Sequence, residues 1–194
     1  PLTTSLIGLF FRKRNIPFVY EVGDLWPEAP FQMGYFRDPI SRRLLLQLEH
    51  RAYSNADTLV GLSPGIVTHI QSRVPEKTVH LVPNMADCNF FGPGPPKQNV
   101  QGNKTAFSIA YTGAIGKVNG LEHLLDAAKA CRDRQVPVLF HIAGTGAAHP
   151  QLERRAADMQ LDNVRFYGHL SKTGVRDVLD RCQAVYISFK KLPV

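Results

Sequence analysis

The stretch Phe107-Ser108-Ile109-Ala110-Tyr111-Thr112, then Gly113-Ala114-Ile115-Gly116-Lys117-Val118-Asn119-Gly120, then Leu121-Glu122-His123-Leu124-Leu125, decides the fold. The first part is short, apolar and β-prone. The last part opens a pattern with Leu121, Leu124, Leu125, Ala128 and Cys131 on one helical face. A strand, a glycine-rich turn and a helix start, in that order, can hold an anion. The first-turn N–H groups and the axial dipole both favour a phosphate there. The glycines let backbone approach a ligand closely. The same pattern also describes a plain strand-to-helix turn with helix-packing glycines.

The spacing excludes two common phosphate binders. A Walker loop ends in Gly-Lys-Ser/Thr, whereas this loop ends Asn119-Gly120-Leu121. The dinucleotide fingerprint needs G-x-G-x-x-G and an acidic residue at the end of the next strand. Here the glycines fall at 113, 116 and 120, and the next strand ends Ile142-Ala143-Gly144-Thr145-Gly146 without a carboxylate.

Outward from that loop, strands and helices alternate. The pattern predicts a helix at 2–14, a strand at 18–22, a proline-rich loop holding Pro27, Pro30 and Pro39, and a helix at 40–54 with Leu44, Leu45, Leu48 and Ala52 on its apolar face. A strand at 58–62, a helix at 64–73 opened by Ser63-Pro64, and a strand at 79–82 follow. Residues 83–106 hold four prolines and three glycines and read as a linker. Strands are then predicted near 107–112, 137–143, 163–167 and 184–189, with helices near 121–133, 150–160 and 172–182, the last capped by Ser171. Such alternation implies parallel sheets flanked by helices, an α/β class. The division is a first segment at 1–90, a hinge at 91–106 and a second segment at 107–194. Each segment offers fewer strands than a doubly wound domain usually has, so the chain reads as an internal fragment.

Composition sets the outer limits. The chain has 194 residues, 44% hydrophobic and 20% charged, which suits a globular core. No apolar run approaches the roughly 20 residues of a membrane-spanning helix. Three scattered cysteines, Cys88, Cys131 and Cys182, fit a reduced, cytoplasmic setting. Seven histidines lack ligand spacing, so no metal site is expected. The net charge of +7 divides unevenly: nine Lys/Arg against eight Asp/Glu in residues 1–95, and fourteen against eight in 96–194. The basic residues are dispersed and the aromatics are core-patterned, which argues against nucleic acid. A smaller anion needs only a few cations on one cleft. Arg42, Arg43 and Arg51 on helix 40–54 read either as a solvated face or as a face for a membrane surface. Asp24 and Glu28 flank Trp26 after a strand, a pair suited to gripping a sugar hydroxyl or acting as base.

The chain resembles the retaining, GT-B-type glycosyltransferases of family 4, closest to the bacterial group that builds O-antigen, capsule and colanic acid. The segments that carry this are Glu21-Val22-Gly23-Asp24-Leu25-Trp26-Pro27-Glu28, Ala56-Asp57-Thr58-Leu59-Val60-Gly61-Leu62-Ser63, Val82-Pro83-Asn84-Met85-Ala86-Asp87, the 113–120 loop, Ile142–Gly146 and Asn163–Gly168. The resemblance implies two Rossmann-like domains, each incomplete here. The first would take the acceptor and the second a nucleotide-diphosphate sugar, which is a co-substrate, so no cofactor is expected. It implies a saccharide or lipid-linked acceptor, and work at the inner face of the plasma membrane. Catalytic roles would fall to Asp24, Glu28 and Lys117. Donor binding would fall to Gly113, Gly116, Asn119, Gly120, Gly144, Gly146, Gly168, His169, Leu170, Lys190 and Lys191. Many family members carry an Arg after the loop's first Gly and a Lys before its last, where this chain has Ala114 and Asn119. Lys117 is the loop's one cation. A sugar-nucleotide epimerase on the same fold and a catalytically incompetent fragment are the alternatives.

Overall fold

Seven short strands, all paired in parallel, form two separate sheets in the computed structural model, which describes residues 2–92 and 106–190. The chain divides into two compact units, one running to Ala86 and one starting at Asp87.

The first unit begins with a 3-10 turn and helix α1 (Ser5–Arg12), then strand β1 (Val19–Val22). Helix α2 (Glu28–Gln32) and helix α3 (Pro39–Asn55) lead to β2 (Thr58–Gly61), and α4 (Pro64–Arg73) leads to β3 (Val79–Leu81). The sheet order is β1-β2-β3, with Tyr20 opposite Leu59 and Val60 opposite His80. Both crossovers step the same way, so right-handed connections put α3 and α4 on one face. Their shared core confirms it: Tyr53, Ile70 and Val74 pack with Phe18, Val22, Ala56 and Leu59. Local chemistry starts the helices. Asp38 accepts a hydrogen bond from the Ser41 amide ahead of Pro39, and Ser63 accepts one from the Ile66 amide ahead of Pro64.

Two expectations need correction here. The proline-rich loop contains α2. Pro27 precedes the helix and Pro30 lies in its first turn, where a missing N–H costs no intrahelical bond. On α3 the buried face is Glu49, Ala52 and Tyr53, while Leu44 is 60% exposed, so the face predicted through Leu44 and Leu45 is rotated.

The second unit holds β4 (Phe107–Thr112), α5 (Glu122–Asp133), β5 (Val138–Ala143), α6 (His149–Asp158), β6 (Val164–Gly168), α7 (Lys172–Leu179) and β7 (Ala184–Val185). Its order is β6-β5-β4-β7. Steps from β4 to β5 to β6 run one way and the step to β7 runs back past β4. Right-handed crossovers therefore place α5 and α6 on one face and α7 on the other. The main core lies on the α5/α6 face, where Leu124, Leu125, Ala128, Leu152 and Ala156 meet Tyr111, Phe140 and Ile142. On α5, Leu121, Leu124, Leu125 and Ala128 are buried at the predicted spacing.

Two predicted elements are shorter than expected. α7 ends at Leu179, and β7 ends at Val185 although the Tyr186 amide still donates to the Ala110 carbonyl. Residues 87–90 pack with the second unit rather than the first: Lys172 pairs with Asp87 and lies over the Phe90 ring.

Candidate functional site

The return of the chain past β4 creates a topological switch point between β4 and β7. In open parallel sheets, ligands collect outside the strand carboxyl ends at such a point. The 113–120 loop leaves β4 there, and residues 186–190 leave β7 on its other side.

Beside it lies a cleft of about 430 Å³. Its floor is Thr112 at the end of β4 with Gly113 and Ala114 just after it, and Ala143 at the end of β5 with Gly144 and Thr145 just after it. Its wall is His169, Leu170 and Val175, from the turn after β6 and from α7. Four of the residues singled out from sequence, Gly113, Gly144, His169 and Leu170, therefore share one cleft. The loops are stitched together past the strand ends. The Gly113 amide donates to the Ala143 carbonyl (3.0 Å), Ile115 to Thr145 (2.9 Å) and Gly144 to Gly168 (2.7 Å). A side chain at Gly144, where φ is +142°, would put its Cβ 1.8 Å from the Gly113 oxygen. At Gly146, φ is +158° and a Cβ would meet the Ile115 oxygen at 2.4 Å. These glycines serve the close approach of two loops.

The 113–120 loop is also tied within itself. The Asn119 side chain, 9% exposed, accepts from the Gly116 amide (3.0 Å), and the Asn119 amide donates to the Gly116 carbonyl (3.1 Å). Tyr111 donates its hydroxyl proton to the Ala114 carbonyl (2.6 Å). The amides of Gly113, Ile115 and Gly116 are thus committed inside the protein. That leaves Ala114, which lines the cleft, and the last part of the loop as the candidate anion-binding backbone. In that last part a 3-10 turn at Lys117–Asn119 runs into Gly120, at φ +59°, and no side chain caps α5.

The cations at this end are Lys117 and Lys190. Lys117 is exposed and makes no hydrogen bond or ion pair with any described residue. Lys190 is held by its backbone amide on the Val118 carbonyl (2.7 Å), and Ser188 donates to the Asn119 carbonyl nearby. The Lys190 side chain runs over Gly120, within 3.5 Å of where a Cβ would stand, and its Nζ reaches Glu122 Oε1 at 2.7 Å. Hydrogen bonding from that ammonium holds the Glu122 carboxyl below its ordinary range. Lys191 lies outside the described residues. Among the described residues no group of three or more His, Cys, Asp and Glu could hold a metal ion, and no helix is long and apolar enough to cross a membrane.

In the first unit Asp24 is exposed in the turn after β1, and Glu28 opens α2. Glu28 is engaged: it accepts from Gln32 Nε2 (3.3 Å) and faces Arg73 at 3.8 Å. Arg73 also faces Glu49 at 3.8 Å, and Glu49 bonds His69 Nε2 at 3.2 Å. Glu49 is 2% exposed, and burial of Tyr53, followed by the charge of Glu49, pushes the Tyr53 hydroxyl well above the usual phenol range. Sequence reading missed this Glu28–Arg73–Glu49–His69 chain. Its one signal was the spacing of Glu49 with Ala52 and Tyr53 at i, i+3, i+4.

Two family models match the chain in succession: a glycosyl transferase 4-like domain over residues 1–85, and glycosyl transferases group 1 over residues 96–190. A protein of Escherichia coli (strain K12) named for colanic acid biosynthesis, glycosyl transferase WcaI, is 39% identical over 59 residues, which is 30% of this chain and 14% of that one. Among solved structures, Anabaena HepE in complex with UDP and glucose superposes with a TM-score of 0.72 at 16% identity, covering 98% of this chain and 52% of its own. Sucrose-phosphate synthase from Thermosynechococcus elongatus gives 0.76 at 16% identity, covering 100% and 50%. The chain thus spans about half the length of these structures. Its parallel sheets, its two successive family segments and these folds place it together: the chain belongs to the group 1, family 4 glycosyltransferases of the GT-B fold.

Proposed function

We propose that this chain carries the donor-side machinery of a retaining glycosyltransferase, which moves a sugar from a nucleotide-diphosphate sugar to a saccharide acceptor. The observation that carries this reading is the cleft at the carboxyl ends of β4, β5 and β6, continuous in sequence with the cationic start of α5. The cleft is sized for a nucleoside. The α5 start, Lys117 and Lys190 offer donors and positive charge to the diphosphate.

The chemistry asks little covalent work of the protein. Charge builds on the leaving diphosphate as the anomeric bond breaks, and preorganised N–H groups and ammonium groups stabilise it there. Acceptor attack on the same face gives retention. Asp24, exposed beside Trp26, is the candidate to hold an acceptor hydroxyl. Glu28 is the weaker candidate base because Arg73 and Gln32 already engage it.

The test is UDP binding by isothermal titration, with GDP and ADP in parallel. Lys117→Ala is expected to weaken diphosphate binding about tenfold, the worth of one charge-assisted contact. Unchanged binding removes Lys117 from the site. An α-configured product from an α-configured donor, read from its anomeric proton coupling, supports retention, and the opposite configuration refutes it. C2 inversion of UDP-N-acetylglucosamine without acceptor would replace transfer by epimerisation.

The name of the matched protein, for colanic acid biosynthesis, supports a role in polysaccharide synthesis; we extend this to a lipid-linked acceptor at the cytoplasmic face of the plasma membrane. The exposed Arg42, Arg43 and Arg51 of α3, around a shallow groove with Leu46 and His50, support peripheral contact with anionic lipid there. Flotation on phosphatidylglycerol vesicles should fall several-fold when all three become Gln. Equal flotation of the two proteins would end that part of the reading.

A further inference from the structure

The diphosphate end of the candidate site carries a carboxylate as well as two lysines. We infer that Glu122 and Lys190 form an exchange pair: Glu122 holds the Lys190 ammonium in the donor-free protein and yields it to the phosphates of a nucleoside diphosphate. The inference rests on the donor reading above and assigns a role to a residue that reading leaves unused.

Three observations carry it. First, Lys190 is placed by backbone, not by chance. Its amide bonds the Val118 carbonyl, its stem lies against Gly120, and Ser188 anchors the same strand extension to Asn119. Second, its Nζ ends on Glu122 Oε1 at 2.7 Å, at the first residue of α5. An ammonium has three N–H donors, so one bond to Glu122 leaves others free to turn toward an anion. Third, both groups remain solvent-accessible, with side chains 46% and 33% exposed, so the pair is weak enough to exchange.

The electrostatics give the sign. A carboxylate in the first turn suits the helix dipole, yet it repels any other anion brought to the same helix end. Lys190 screens that repulsion when no ligand is bound. When a diphosphate arrives, Lys190 can serve it fully only by loosening Glu122. Glu122 therefore lowers diphosphate affinity, and with it favours release of the nucleotide product. The loop residues Ala114 and Asn119 carry no charge. That leaves Lys117 and Lys190 as the cations of this end, and makes the competition for one of them count.

The experiment titrates the full chain with UDP, UMP, uridine and inorganic pyrophosphate at low ionic strength. Wild type is compared with Glu122→Gln, Lys190→Ala and the double variant, with thermal midpoints recorded for each. Glu122→Gln should bind UDP and pyrophosphate about threefold tighter, the worth of an exposed ion pair. Lys190→Ala should bind them about tenfold weaker, and the double variant should recover part of that loss. UMP should respond less, and uridine not at all. Unchanged or weaker UDP binding in Glu122→Gln overturns the exchange. So does a fall in its thermal midpoint with no gain in affinity, because a purely structural first-turn carboxylate predicts that result. If Lys190→Ala weakens binding while Glu122→Gln leaves it alone, the exchange fails and the donor reading stands. A wild type that binds neither UDP nor pyrophosphate overturns both.

Discussion

Gly144 shows how little freedom the candidate site has at single positions. Its φ of +142° suits glycine, and a Cβ would stand 1.8 Å from the Gly113 oxygen, far inside any contact distance. Gly144→Ala should therefore force the β4 and β5 loops apart and cost about 3 kcal/mol, since strain and backbone collision add. Gly168→Ala is the control. Its φ of +65° is also left-handed, but nothing lies within 4 Å, so about 1 kcal/mol is expected. Urea unfolding of the two variants checks the contrast, and equal losses would show that the two loops part easily. Sequence reading took Gly144 and Gly146 as ligand-facing glycines. Their need for glycine is met by protein backbone, a distinction that spacing along the chain cannot carry.

At the scale of elements, the joint between α3 and α4 depends on a buried acid. Glu49 is 2% exposed and bonds His69, with Arg73 at 3.8 Å linking it to Glu28 on α2. Glu49→Ala should strip the partner from His69 and leave a gap against Tyr53. A loss of about 2 kcal/mol is expected, below the range for fully buried pairs because Arg73 is 41% exposed. Glu49→Gln keeps an acceptor and should cost about half as much. Amide exchange in residues 39–74 is the measurement, and an unchanged pattern in Glu49→Ala would deny the network any structural role. This network also marks where the sequence stopped being legible. Caps and alternation were readable because they are local: Asp38-Pro39, Ser63-Pro64 and Ser171 each act within one turn. The face of α3 was not, because Leu44, Leu45 and Leu48 outweighed one glutamate in a pattern count. α2 was not, because Pro27 and Pro30 signal loops everywhere except in a first turn. The Lys190–Glu122 contact joins residues far apart in sequence, which only the strand order brings together.

Across the whole molecule, charge is distributed as the proposed function requires. Residues 96–194 carry fourteen Lys/Arg against eight Asp/Glu, while residues 1–95 are nearly balanced at nine against eight. Much of the excess is dispersed, and several of these cations are already spent. Arg155 pairs with Asp126, Lys129 and Arg132 with Asp133, and Lys172 with Asp87. A diffuse positive field of this kind raises the local concentration of anions without selecting among them. On the proposed reading, selection falls to the strand-end cleft and the α5 start. The two contributions separate with salt. Screening shortens the reach of the field from roughly 14 Å at 50 mM to about 6 Å at 300 mM ionic strength, following the square-root law of the Debye length. UDP affinity should accordingly fall several-fold over that range in chloride, while uridine affinity, which draws on the cleft alone, should hold. If uridine weakens in parallel with UDP, salt is acting on the fold of the cleft. If UDP does not weaken at all, phosphate contacts contribute nothing and the α5 end is not the diphosphate site.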